Sequence, residues 1–269
     1  MDNPVLTAEI HHLTIGYGNV ILLDDVSFLI RPGEVVGIWG KNGSGKSTLL
    51  KAFLGEAISK GEVNIIGGRK HFDSLCFISP TLSISFLPQG RRTIAQLTVR
   101  ENLHLALWKY SGRSLREAAI SRLCDRPVFA ELKDWLDIDV SYLSGGQDLL
   151  VGLAVIELLD ANIVLLDEPS DGLDLVNRDL IIEFVGNLRE KGKAVILVEQ
   201  VLKVLFLVSD RVYVIKPLNH SDIKTEMIST NTLVELSGDD IYSIKNSFSN
   251  NKVISSDDKL NILEVMTRY

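Results

Sequence analysis

The nine residues Gly40-Lys41-Asn42-Gly43-Ser44-Gly45-Lys46-Ser47-Thr48 have the types and spacing of a phosphate grip. Glycines let successive backbone N–H groups turn toward one anion, and a helix starting at the end of the loop adds partial positive charge. Lys46 is placed to reach the outer phosphates of a nucleotide, and the Ser47 hydroxyl to hold Mg²⁺. Far along the chain, Ile163-Val164-Leu165-Leu166 runs into Asp167-Glu168. Two carboxylates closing an apolar run are costly unless they have work to do. Beside a phosphate, Asp167 suits Mg²⁺ and Glu168 suits polarising an attacking water. Gln89 follows a short apolar run, from which its amide can contact a metal or the water; a solvated loop residue is the plainer alternative. Ser144-Gly145-Gly146-Gln147 opens a helical stretch and offers an anion N–H groups and a hydroxyl. A serine N-cap accounts for it equally well. Tyr17 offers a ring for an adenine to stack on, or merely packs.

These groups need a scaffold that brings distant segments together. Residues 34–39 read as a buried strand and 47–54 as a helix, the context the glycine loop requires. The continuous apolar runs at 163–166 and 194–198 suit central strands of a parallel sheet, buried on both faces, with ligands at their carboxyl ends. Residues 5–35 alternate as half-buried antiparallel strands, with Tyr17-Gly18 in a turn. Residues 61–89 hold two more strand-like pieces, and 97–137 carry apolar residues at helical spacing, read as a helical insertion. Residues 211–215 read as the last strand of the core. Beyond 216 polarity rises, and 217–269 reads as a loosely structured extension with one or two short elements, its only apolar clusters being Leu233-Val234-Glu235-Leu236 and 260–265.

Composition narrows the function. The chain has 269 residues, 46% hydrophobic and 23% charged, enough for one sizeable core with a small appendage. A net charge of −7 argues against general nucleic-acid binding, which calls for a basic face. Two cysteines, Cys76 and Cys124, lack metal-ligand neighbours and suit a reducing compartment. The first residues show no signal-peptide pattern, and the most apolar region, 194–215, is broken by Glu199, Lys203, Asp210 and Arg211, so direct membrane insertion is not expected.

Taken in order, Tyr17, the loop at 40–48, Gln89, Leu143-Ser144-Gly145-Gly146-Gln147, Asp167-Glu168 and Ser170-Asp171-Gly172-Leu173-Asp174 resemble the ATP-binding subunit of an ABC transporter. The resemblance covers residues 5–216. Residues 87–92 (LPQGRR), 97–103 (LTVRENL) and 197–200 (LVEQ) look like the ATPases of branched-chain amino acid and urea importers. It implies an α/β fold: a P-loop NTPase core, mostly parallel sheet flanked by helices, with an N-terminal antiparallel β subdomain. The ATPase domain would span 1–216, its helical subdomain about 92–160, and 217–269 would be a C-terminal extension.

The resemblance implies ATP and Mg²⁺, with Lys46, Ser47 and Thr48 on phosphate and metal, Ser47, Gln89 and Asp167 at the metal, and Glu168 as base assisted by Gln89 and Gln200. It also implies a head-to-tail pair of cassettes. Ser144, Gly145, Gly146 and Gln147 of one would close over the ATP of the other, and Asp174 would contact the neighbouring site. Transmembrane permease subunits would hold the pair cytoplasmically, at the inner face of the cell membrane. Two positions depart from the family. Gln200 stands where a histidine is usual and cannot carry a proton. Asp148 directly follows the signature, residues 148–156 lack the basic residue usual there, and a negative charge at that helix start weakens its pull on phosphate. Both favour pairing with a different cassette. A soluble cassette that remodels a cytosolic complex and a weakly hydrolysing regulatory subunit are the competing functions.

Overall fold

A computed structural model describes residues 8–17, 20–56, 58–65, 84–90, 92–108, 112–217 and 231–249. Gly18, Cys76, Arg91 and the 260–265 cluster lie outside these described residues. The N-terminal half carries strands β1 (Ala8–Tyr17), β2 (Val20–Ile30), β3 (Val35–Trp39), β4 (Ile58–Ile65) and β5 (Ile84–Leu87), with helix α1 (Lys46–Phe53) after β3. The helical layer follows as α2 (Val99–Ala106), α3 (Arg113–Cys124), α4 (Leu132–Trp135) and α5 (Gly145–Leu159). Then β6 (Ile163–Asp167), α6 (Leu175–Glu190), β7 (Ala194–Val198), α7 (Leu202–Val208) and β8 (Arg211–Pro217) complete the core, followed by β9 (Asn231–Glu235) and α8 (Gly238–Ser249).

The nine strands form one sheet in the order β4-β1-β2-β9-β8-β3-β7-β6-β5. From β8 to β5 neighbouring strands run parallel, while β1 pairs antiparallel with β2 and β4. Every residue of β6 and β7 is buried. Their alternate side chains feed two cores: Val164, Leu166, Val195 and Leu197 face the helical side, while Ile163, Leu165, Ile196 and Val198 pack with α1 and the antiparallel strands. An apolar run without polar alternation is what burial on both faces requires. Phe28 of β2 joins the two strand systems, with its ring 5.8 Å from Phe53 and 5.5 Å from Tyr213.

Register does the positioning. Val198 lies opposite both Asp167 on β6 and Ile38 on β3. The carboxyl ends of β3, β6 and β7 therefore finish level, and the segments leaving them meet at one edge.

Within the 217–269 extension, β9 is part of the main sheet, antiparallel to β8 and touching β2 at Leu23 opposite Asn231. Leu236, Ile241 and Ile244 are buried in the helical-side core. Residues 231–249 thus hold the two short elements expected in the extension, and these three apolar residues anchor them to the core. No described helix is long and apolar enough to cross a membrane.

Candidate functional site

The loop after β3 folds around its own lysine. Lys46 is 5% exposed, and its Nζ donates to the carbonyls of Gly40 at 2.9 Å and Lys41 at 3.2 Å. Gly45 caps α1 with φ +101° and Gly43 has φ +78°, both in the left-handed region that favours glycine. Gly40 is needed for space, since a Cβ there would stand 2.6 Å from Ser44 Oγ.

The end of β6 supplies the acids. Asp167 accepts from Ser47 Oγ at 3.1 Å, and burial pushes its carboxyl above the ordinary range against the pull of that hydroxyl. Glu168 adopts φ +45°, a strained conformation for a residue with a side chain, while its N–H donates to Val198 O at 2.9 Å. Three groups hold its carboxylate. Lys46 Nζ lies 3.2 Å from Oε1, and Oε2 accepts from Gln89 Nε2 at 3.0 Å and Gln200 Nε2 at 2.6 Å. Gln89 Nε2 also donates to Asp171 at 3.1 Å.

These residues line a cleft of about 380 Å³ that includes Asn42, Gly43, Gly45, Lys46, Ser47 and Thr48, with Gln89, Glu168 and Gln200 opposite. A lysine, converging loop amides and an adjacent hydroxyl–carboxylate pair suit a polyphosphate and a hard divalent cation. Among the described residues no three His, Cys, Asp or Glu side chains cluster as a metal site. A small cation here would lean on Ser47, Asp167 and phosphate oxygens, the way Mg²⁺ usually binds.

The second cluster lies elsewhere. Ser144 is the N-cap of α5: its Oγ accepts from Gln147 N at 3.3 Å, and Gln147 Oε1 accepts from Ser144 N at 2.9 Å. Asp174 caps α6 by accepting from Asn177 N at 3.0 Å. Gly146 abuts Asn177, whose amide would meet a Cβ at 2.8 Å, so Ser144–Gln147 and Asp174 share one corner. Ser144, Gly146 and Gln147 line a different cleft, of about 300 Å³, and none of them lines the phosphate cleft. Tyr17 ends β1, half exposed, and is not among the phosphate-cleft residues; Leu22 of β2 is.

Asp148 does not act as expected. Its oxygens accept from Thr93 Oγ1 at 2.5 Å and Arg92 N at 3.2 Å, and the buried Arg92 side chain donates to Pro169 O at 3.0 Å. The negative charge at the start of α5 is thus taken up by the segment after Gln89. Leu22, Arg92, Asp171 and Glu199 are the site neighbours that sequence reasoning gave no role. Glu199 carried a readable signal, a carboxylate ending an apolar strand; Arg92 and Asp171 lay within motifs of the resemblance but drew no role of their own, and Leu22 carried none.

Fold and cleft together define a P-loop nucleotide-binding protein. The ABC transporter family profile matches residues 23–171, and the chain belongs to that family. Nod factor export ATP-binding protein I of Rhizobium meliloti (strain 1021) is 32% identical over 216 residues, 79% of this chain and 62% of the relative. The probable branched-chain amino acid transport ATP-binding protein LivF of Archaeoglobus fulgidus is 32% identical over 206 residues, 76% of this chain and 85% of the relative. A dimeric ATP-binding cassette in a post-hydrolysis state, bound to ADP and Pi, superposes with TM-score 0.66 at 27% identity, covering 77% of this chain and 93% of that one. The chain thus spans 62% of the length of the Nod factor relative.

Proposed function

We propose that this chain binds and hydrolyses ATP at the phosphate cleft and couples that cycle to solute movement through separate membrane subunits. The observation that carries the reading is Glu168 held at once by Lys46, Gln89 and Gln200 beside the glycine loop. An incoming γ-phosphate competes with Glu168 for Lys46. Once the lysine turns to phosphate, Oε1 is free to take a proton from water, while the two glutamine amides keep Oε2 in place. Gln200 orients but transfers no proton, because an amide has no titratable group at neutral pH. A magnesium ion held by Ser47 and Asp167 would neutralise charge on the phosphates.

The exposed start of α5 fits the ATP of a second cassette. Ser144, Gly145 and Gly146 would meet its γ-phosphate, Gln147 would support the turn, and Asp174 would lie beside them. ATP thus closes a pair and hydrolysis opens it. A distinct partner cassette rests on Gln200 alone, since Asp148 has a charge partner within the chain, the Arg92 guanidinium 4.0 Å away. Tyr17 would stack on adenine. Amino acid or urea-type uptake is the transport class that residues 87–92, 97–103 and 197–200 suggest, with the cassette held at the cytoplasmic membrane face by permease subunits. Phosphate release from Mg-ATP by the full chain tests the reading: magnesium-dependent release is expected, and none from folded protein under any partner condition would refute it.

A further inference from the structure

Glu199 follows β7 and is 1% exposed. Among the described residues no lysine, arginine or histidine pairs with it. Its carboxylate is met by main-chain N–H groups: Oε1 accepts from Gln200 at 2.7 Å and Val201 at 2.8 Å, and Oε2 accepts from Ser170 at 3.3 Å. The two Oε1 contacts are local and would serve any turn into α7. The Oε2 contact spans 29 residues and ties that turn to the segment leaving Glu168. The Glu199 N–H in turn donates to Ile38 O at 3.2 Å, near the end of the strand that feeds the glycine loop. Both segments it joins end on the same carboxylate. Gln200 Nε2 holds Glu168 Oε2, and Asp171, next to Ser170, shares Gln89 Nε2 with Glu168.

We infer that Glu199 is a positioning residue for hydrolysis, fixing the main chain on both sides of Glu168 so that the Gln200 amide aims its carboxylate. The inference rests on the ATPase reading. A buried carboxylate lacking a counter-ion is costly, and the three N–H contacts explain how it is held. Because it does not line the phosphate cleft, it acts through Gln200 and Glu168.

Glu199→Gln keeps the size but turns one acceptor into a donor, which must face an N–H of Ser170 or of Gln200 and Val201. Losing an orienting bond of this kind costs roughly 10–100-fold in activity. The full chain should therefore lose that factor in kcat while its ATP dissociation constant stays within about twofold. In a Gln200→Ala background, Glu199→Gln should add little, because the residue it acts through is already gone. Losses that multiply, or a fall in ATP affinity matching a fall in melting temperature, would mark Glu199 as merely structural and overturn the inference. Unchanged kcat in Glu199→Gln would overturn it too. Should that variant not fold, Glu199→Asp, which keeps the charge but withdraws the oxygens, is judged by the same criteria. Absence of turnover in the wild type would overturn the ATPase reading and this inference with it, whereas wild-type turnover beside an unaffected variant overturns the inference alone.

Discussion

At the phosphate cleft, Glu168 is reached by side chains from three other segments: Lys46 after β3, Gln89 after β5 and Gln200 after β7. At the start of α5, Ser144 and Gln147 satisfy one another within one helical turn, and Asp174 does the same with Asn177. The first region is a network that only the folded sheet can assemble and that a ligand must open. The second is a pair of local caps left facing outward, assembled from residues three apart in the chain. Under the proposed function, the first region is a half-site that would do the chemistry and the second a half-site for another cassette's nucleotide.

The deepest break in this contrast is Glu168→Gln. Losing a positioned base should lower turnover roughly 10²–10⁴-fold while ATP remains bound, read as phosphate release beside nucleotide retention. A weakly hydrolysing regulatory subunit would lose little. Ser144→Ala sharpens the contrast from the other side. ATP affinity of the isolated chain should stay within about twofold, because the residue is remote from its own cleft. Turnover of the assembled pair should fall roughly 10–100-fold, the worth of about 1.5–3 kcal/mol for a hydrogen bond to a charged group.

Stability separates the regions further. Burial raises the Asp167 pKa, so the native state favours its protonated form. That contribution is full below the unfolded value, near ~3.9, and is lost as pH rises through the folded value, leaving the carboxylate a net cost at neutral pH. Asp167→Asn should thus raise the melting temperature of the nucleotide-free protein at pH 7, with the gain shrinking on acidification, while magnesium no longer strengthens ATP binding. In Ser144→Ala the lost cap should cost about 1 kcal/mol and lower melting by about 2–4 °C, seen by calorimetric scanning.

Much of the chemistry was legible because it rests on residue types with few alternatives. Glycines around Lys46 and carboxylates closing an apolar strand each signal work, and strand burial follows from runs such as Ile163–Asp167. Relations between segments were not legible. The positive φ of Glu168 occurs where its N–H bonds to Val198 across the sheet, a pairing between segments 30 residues apart in the chain. Asp148 read as a negative charge at a helix start, yet Thr93 and Arg92, more than 50 residues upstream, donate hydrogen bonds to it. The apolar cluster at 233–236 marked a short element, but not that it pairs antiparallel with β8 as a strand of the main sheet. Tyr17 and Asp174 carry the family pattern, but their roles depend on a ligand and on a neighbour.

The account stands on Lys46 gripping the phosphates of a nucleotide, and titration calorimetry with Mg-ATP on the full chain addresses that most directly. Wild-type protein should give a saturable heat of association, weakened roughly 10–100-fold in Lys46→Ala. Absence of heat from well-folded wild type, or the same affinity in Lys46→Ala, would contradict it.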